Sequence, residues 1–201
     1  MTPEWTAACL AGAGYLLGSI PFGIIVSKGL GLPDPRTVGS KNIGFTNVLR
    51  VSGKTAGILT LIGDMGKGWL IGCLAAQNLT QEPLALAVTA MPILGHFLPV
   101  FLRFRGGKGV ATAMGAVTGL APWLGLLLLA TCLATAAIWR YSSGAALTAF
   151  AILPLGAWTA GRSQAFLIFT LAVSGAIGWR HQDNIKRLLN GTESKIGQSK
   201  S

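Results

Sequence analysis

Seven apolar runs separated by short polar stretches make up most of the chain, at 5–27, 55–76, 83–102, 109–120, 122–139, 144–160 and 164–179. A helix that crosses a bilayer needs about 20 largely apolar residues, with 17 to 25 usual. The first three runs meet that length. The fourth has only 12 residues and predicts either a short span or one arm of a bent unit with the fifth. Ala121-Pro122-Trp123 marks the break, because proline disfavours helical backbone at the residue before it. The pattern predicts an all-α, polytopic membrane protein with seven transmembrane helices, some short, or six if the fourth and fifth runs act as one. No polar stretch is long enough for a second domain. One membrane domain over 1–201 is expected, with a polar tail from about 181.

Composition agrees with that class. Hydrophobic residues are 51% of the chain, charged residues 11%, and mean hydropathy is +0.59, whereas soluble domains carry roughly 25% charged residues. The net charge of +10, from 16 Lys+Arg against 6 Asp+Glu, would suggest nucleic acid in a soluble protein. In a membrane protein it reads first as positive loops kept in the cytoplasm, with anionic headgroups or an anionic ligand as an added partner. Lys28, Arg36, Lys41, Arg50 and Lys54 follow the first run. Arg103, Arg105 and Lys108 follow the third, Arg140 the fifth, and Arg180, Lys186, Arg187, Lys195 and Lys200 the seventh. The opposite loops hold Arg162 alone, and the 77–82 loop has no base. The bias places the N-terminus outside and the C-terminus in the cytoplasm. The opening Met1-Thr2-Pro3-Glu4-Trp5 lacks a basic stretch, so the first run is expected to stay as a helix rather than be cleaved as a signal.

Three polar clusters interrupt the apolar pattern, all on the expected cytoplasmic side. In Gly39-Ser40-Lys41-Asn42-Ile43-Gly44-Phe45-Thr46-Asn47-Val48-Leu49-Arg50, Ser40, Asn42, Thr46 and Asn47 offer hydroxyl and amide groups, and Lys41 and Arg50 offer charge. Thr46 or Asn47 is placed to cap a helix carrying Arg50, and a helix start with free amides attracts phosphate. In Arg103-Phe104-Arg105-Gly106-Gly107-Lys108-Gly109, Gly106 and Gly107 precede Lys108 and then a helix, as in a phosphate loop. The Walker pattern is not met, so nucleotide hydrolysis is disfavoured and phosphate binding stays. The third cluster is His181-Gln182-Asp183-Asn184-Ile185-Lys186-Arg187. If the preceding helix continues, His181 and Asn184 share a face. His96, inside the third run, is read as a satisfied core group, with orienting the second cluster as its alternative. Asp64 and Lys67, three apart inside the second run, predict an internal ion pair. Cys9, Cys73 and Cys132 read as small buried hydrophobes.

No close carboxylate pair, metal-ligand set or Gly-x-Ser-x-Gly elbow occurs, and none of these patterns calls for a cofactor. The histidine–aspartate acyltransferase signature fails too: five beyond His96 is Phe101, and five beyond His181 is Lys186. Any chemistry must proceed without a covalent protein nucleophile. Two non-enzymatic readings stay open on these residues. A transporter for a phosphorylated solute would favour midplane charge and an inverted repeat. An anionic-lipid binder leaves the asparagines and glycines unexplained.

The three clusters, with Gly18-Ser19-Ile20-Pro21-Phe22-Gly23, together resemble the bacterial acyl-phosphate:glycerol-3-phosphate acyltransferase family (the PlsY type), from Gly18 to about Lys195. The resemblance implies a seven-span inner-membrane enzyme with a cytoplasmic site. Such an enzyme moves an acyl chain from acyl phosphate to the sn-1 hydroxyl of glycerol 3-phosphate, giving lysophosphatidate and phosphate as the first step of phospholipid synthesis. It implies no cofactor, no nucleic acid, contact with membrane lipid and a monomer. By the motifs, Ser40, Asn42, Thr46, Asn47 and Arg50 match the first, Gly106, Gly107 and Lys108 the second, and His181, Asn184 and Gly191-Thr192-Glu193 the third. Lys108, Arg50, His181 and Asn184 would carry catalysis; Ser40, Asn42, Thr46, Asn47, Gly106, Gly107 and Ser143 would bind substrate. Lys41 and Phe45 stand where the family more often has small residues. After Arg140-Tyr141-Ser142-Ser143 the chain has Ala146 where a serine contact is expected, so Ser143 is carried over instead.

Overall fold

The computed structural model describes residues 2–198, so Lys200 of the basic tail lies outside them. All regular structure among these residues is helical, and the chain divides into two compact units, 1–121 and 122–201.

The first unit contains α1 (Pro3–Gly18), α2 (Phe22–Gly29), α3 (Phe45–Asn78), α4 (Glu82–Phe97) and α5 (Val110–Leu120). The first apolar run is not one helix. It breaks at Ser19-Ile20-Pro21, and α1 and α2 meet at a 45° bend, because Pro21 has no N–H to continue the ladder and constrains the residue before it. The second run extends back to Phe45 as α3, interrupted where Gly53 takes φ +86°, a conformation open to glycine at no steric cost. α1 packs on α4 and α3, α2 on α3, and α3 most extensively on α5.

That last contact has a sequence cause. Gly68 and Gly72 on α3 and Gly115 and Gly119 on α5 lie four residues apart on each helix. A Cβ at Gly68 would strike the Thr112 carbonyl, at Gly72 that of Ala116, at Gly115 that of Met65, and at Gly119 that of Trp69. Two reciprocal small-xxx-small faces thus bring the backbones together, the mode of packing that works where lipid removes the usual hydrophobic drive between helices. The helix that begins with the Arg50 cluster and the helix that follows Lys108 are the two so joined.

The second unit contains α6 (Pro122–Trp139), α7 (Ser142–Thr159), α8 (Gln164–Arg180) and α9 (Gln182–Leu189). α7 packs between α6 and α8. The Ser163 hydroxyl accepts from Phe166 N–H at 3.1 Å, capping α8. α6 coincides with the apolar run 122–139, and α5 keeps the shortness of its run. Leu126, Leu133, Ile138, Leu155, Ile168 and Leu171 are exposed; helices apolar all round suit a lipid surrounding.

α3, the stretch from α4 to its following turn (Glu82–Leu102) and α6 are long and apolar enough to cross a membrane, and the bent α1–α2 pair makes a fourth. α5 and α8 are apolar but shorter. The cysteines depart from expectation: Cys9 is exposed and Cys73 and Cys132 are half-buried. A weakly polar thiol on an outer helix face needs no protein cover when that face is apolar throughout.

Candidate active site

The first cluster forms a loop that Asn47 ties together. The cap of α3 is Gly44, without a side-chain bond, so Thr46 and Asn47 lie inside the first turn instead of capping it. Asn47 is buried. Its Oδ1 accepts from Ser40 N–H at 2.8 Å, and its Nδ2 donates to the carbonyls of Pro35 (2.9 Å), Asn42 (2.8 Å) and Val38 (3.2 Å). Asn47 is therefore tied into the loop, and its amide shapes the backbone that carries Ser40 and Asn42. Asn42 Oδ1 accepts from Gly44 N–H at 2.9 Å, an Asx turn of the sort asparagine favours. Gly39 at φ +62° and Lys41 at φ +57° turn the backbone. Ser40 and Arg50 stay exposed on this frame, with Thr46 half-buried.

The second cluster follows α4 through a single 3-10 turn (Val100–Leu102) and left-handed Arg103 and Phe104. α1 holds its start: Tyr15 Oη donates to the Leu98 carbonyl at 2.8 Å, and Ser19 Oγ accepts from Val100 N–H at 3.4 Å. Gly106 and Gly107 owe their identity to close packing. A Cβ on Gly106 would strike the His96 and Phe97 carbonyls, and one on Gly107 the His96 ring. Gly107 N–H donates to the His96 carbonyl at 3.1 Å. Positive φ belongs to Gly109 (+72°), the cap of α5. Lys108, half-buried, sits between these pinned glycines.

His96 is buried as expected, and it also orients the glycine loop, so both readings of it hold. Asp64 and Lys67 pair at 2.9 Å. Lys67 Nζ also donates to the Ile20 carbonyl at 2.9 Å, a group at the α1–α2 break that accepts from Phe22 N–H as well. The pair, the charge a transport reading could draw on inside a span, is met by internal partners.

The third cluster lies in the second unit. The helix does not continue through His181: α8 ends and α9 begins there, at φ −104°. His181 Nδ1 lies 2.8 Å from the Ile177 carbonyl. A carbonyl only accepts, so Nδ1 carries a proton. Asn184 and Ser143 meet through a residue left out of the expected site. Glu193 Oε1 accepts from Asn184 Nδ2 at 2.6 Å and Ser143 Oγ at 2.7 Å, and Oε2 accepts from Arg187 Nε at 2.6 Å. Gly191, at φ +67°, makes this possible. Its N–H bonds Leu188, and Thr192 N–H bonds Arg187 at 2.8 Å, a Schellman turn that sends the chain back over α9. The Gly191-Thr192-Glu193 tail was the available signal. Ala146 is buried on α7.

Burial disfavours the charged Glu193 carboxyl, but the hydrogen bonds from Ser143, Asn184 and Arg187 outweigh it and hold its pKa below the usual 4.5. A depressed folded pKa means this carboxylate stabilises fully above the unfolded value and stops doing so as pH falls through the folded one. Acid titration followed by proteolysis of the tail should show release of 187–198 below about pH 4.5, and Glu193→Gln should remove that step. A wild-type tail equally resistant at pH 3 and pH 7 would refute the assignment.

A family model described as glycerol-3-phosphate acyltransferase matches residues 8–191. Similar proteins include the glycerol-3-phosphate acyltransferases of Aromatoleum aromaticum, 49% identical over 191 residues (94% of this chain, 96% of that one), and of Methylobacillus flagellatus, 48% identical over 186 (92% and 95%). The structure is similar to the crystal structure of PlsY, an integral membrane glycerol 3-phosphate acyltransferase, in its glycerol 3-phosphate form, with TM-score 0.90 and 38% identity over 95% of this chain and 96% of that one. The form with lysophosphatidic acid gives 0.88 and 37%. Like that neighbour, this chain is built from apolar helices as a multi-pass membrane protein. With the model spanning most of its length and relatives near half identical along nearly all of it, the chain belongs to the glycerol-3-phosphate acyltransferase family.

Proposed function

We propose that the protein transfers an acyl group from acyl phosphate to the sn-1 hydroxyl of glycerol 3-phosphate. The products are 1-acylglycerol 3-phosphate and inorganic phosphate, and no covalent acyl-enzyme forms. We further read it as a monomeric seven-span inner-membrane protein, N-terminus outside, with the reacting groups at the cytoplasmic face. The family and the glycerol 3-phosphate and lysophosphatidic acid forms of its structural neighbour support the acceptor and product. The observation that carries the reading is local to the first unit. Arg50 stands in the first turns of α3, just after a loop that Asn47 ties together, and Lys108 stands on a loop held against His96. Cations fixed in advance cost no reorganisation when charge develops.

In this mechanism Lys108 and Arg50 hold the two phosphates, with Ser40, Asn42 and Thr46 as neutral donors. The acceptor hydroxyl oxygen attacks the acyl carbon. The bond from that carbon to the phosphate oxygen breaks, and phosphate leaves with the electron pair. Acyl phosphate is a mixed anhydride with a good leaving group, so orientation of the reactants supplies most of the advantage. The hydroxyl proton passes to a phosphate oxygen of the substrate. His181, buried with its Nδ1 on the Ile177 carbonyl, is the second candidate. Asn184 and Ser143, gathered by Glu193 within the second unit, are read as further substrate-binding groups.

Purified protein with palmitoyl phosphate and glycerol 3-phosphate should release phosphate only when both are present. Release without glycerol 3-phosphate would make it a hydrolase. No release, or acylated protein trapped on quenching, would overturn the mechanism.

A further inference from the structure

Asp64 and Lys67 touch none of the groups assigned to substrate, yet their partners lead to the Lys108 loop. Both are buried, at 2% and 3% exposure. Lys67 Nζ meets Asp64 Oδ1, the Ile20 carbonyl and, at 5.7 Å, the face of Phe22. Asp64 Oδ1 stands 3.6 Å from His96 Nδ1, and that nitrogen is 3.3 Å from Thr112 Oγ1. The His96 carbonyl holds Gly107 N–H, and its ring fills the space a Gly107 Cβ would need. Thr112 lies in the first turn of α5, immediately beyond Lys108 and Gly109. One carboxylate therefore joins the break between α1 and α2, the end of α4 and the start of α5.

A buried ion pair adds little net stability, since desolvation offsets the attraction, and an apolar pair of similar size is often as stable. What such a pair does supply is a preference for one arrangement over others. We propose that Asp64 and Lys67 are positioning residues for Lys108. The carboxylate, anchored by Lys67, keeps His96 Nδ1 protonated and facing it, which holds the imidazole against Gly107 and so sets where the Lys108 ammonium meets phosphate. The same logic orients histidine ligands through an outer carboxylate at metal sites. This inference rests on the acyl-transfer reading above.

The test is the double variant Asp64→Asn/Lys67→Met, which leaves no lone charge buried, beside Asp64→Asn alone, which keeps shape and acceptor while removing charge. Each is assayed for phosphate release, for thermal stability, and for amide hydrogen exchange of 103–109. The expected result in the double variant is a melting temperature near wild type; in Asp64→Asn alone, which leaves the Lys67 charge unpaired, it is a lower one. In both, the KM for palmitoyl phosphate rises about ten- to hundredfold with a smaller change in kcat, and exchange quickens in that loop alone. A pair that serves only the fold gives wild-type KM and wild-type loop exchange in every molecule that remains folded, which overturns the proposal. Wild-type protein that releases no phosphate, with loop exchange still faster in the variants, would sink the acyl-transfer reading and leave the loop anchoring standing.

Discussion

Lys108→Ala is expected to abolish turnover, by about a thousandfold or more, in protein that remains folded. The figure follows from what one preorganised donor contributes at developing charge, roughly a hundred- to a thousandfold each, and from the absence of any second lysine in the glycine loop. Gly106, Gly107 and Gly109 pack on His96, Pro99 and Phe97 through their backbones, and those contacts survive truncation at 108. Substitutions away from core packing usually stay within about 0.5 kcal/mol. Arg50→Ala should behave alike, because Arg50 is exposed and the loop before it is held by Asn47. Lys108→Arg should recover only part of the rate, since a planar fork does not occupy the place of a compact ammonium. Phosphate release measured beside melting temperature checks all three. Retained activity in both alanine variants would remove the anion-site assignment.

Gly115→Leu is expected to deny the protein its fold rather than its chemistry. A Cβ there would run into the Met65 carbonyl and crowd Trp69 N. Backbone atoms inside a helix cannot swing aside, so α5 would have to lift from α3. Ordinary overpacking costs about 1–3 kcal/mol, and a four-carbon side chain against a carbonyl lies at or beyond the upper end. The reciprocal position Gly68, against the Thr112 carbonyl, should respond in the same way. Gly66→Ala supplies the control: it lies on α3 between the affected positions, yet a Cβ there meets nothing within 4 Å. Helix propensity then makes alanine neutral or better by up to about 1 kcal/mol. Folded yield and melting temperature in detergent should separate the two cleanly. A Gly115→Leu protein as stable as the Gly66→Ala control would refute the packing account.

The two predictions divide the glycines of the second cluster and its following helix by cause. Gly106 and Gly107 resemble a phosphate loop in sequence, but their constraint comes from His96 and Pro99 pressed against them. Gly115 and Gly119 carry no chemical signature, and four-residue spacing was their only mark. Asn47 and Glu193 show the same divide from the polar side. Asn47 stands inside a motif of donors and is consumed by the loop. Glu193 stands in a tail and gathers Ser143, Asn184 and Arg187.

What the sequence determined by itself is what short-range periodicity and loop chemistry encode. Helices α5 and α6 follow their apolar runs, the proline at 122 separates them, Asp64 and Lys67 pair three residues apart, and three cationic clusters interrupt an apolar chain. The tertiary structure decided what those groups bond to. Asn47 reaches Pro35 across 12 residues, His96 meets Thr112 across 16, Lys67 meets the Ile20 carbonyl across 47, and Ser143 meets Glu193 across 50. Apolar spacing reports which face of a helix is covered. Which polar atom fills a buried acceptor depends on which distant backbone the packing carries to it, so the break at Pro21 and the turn at Gly191 acquire their meaning only in the folded chain.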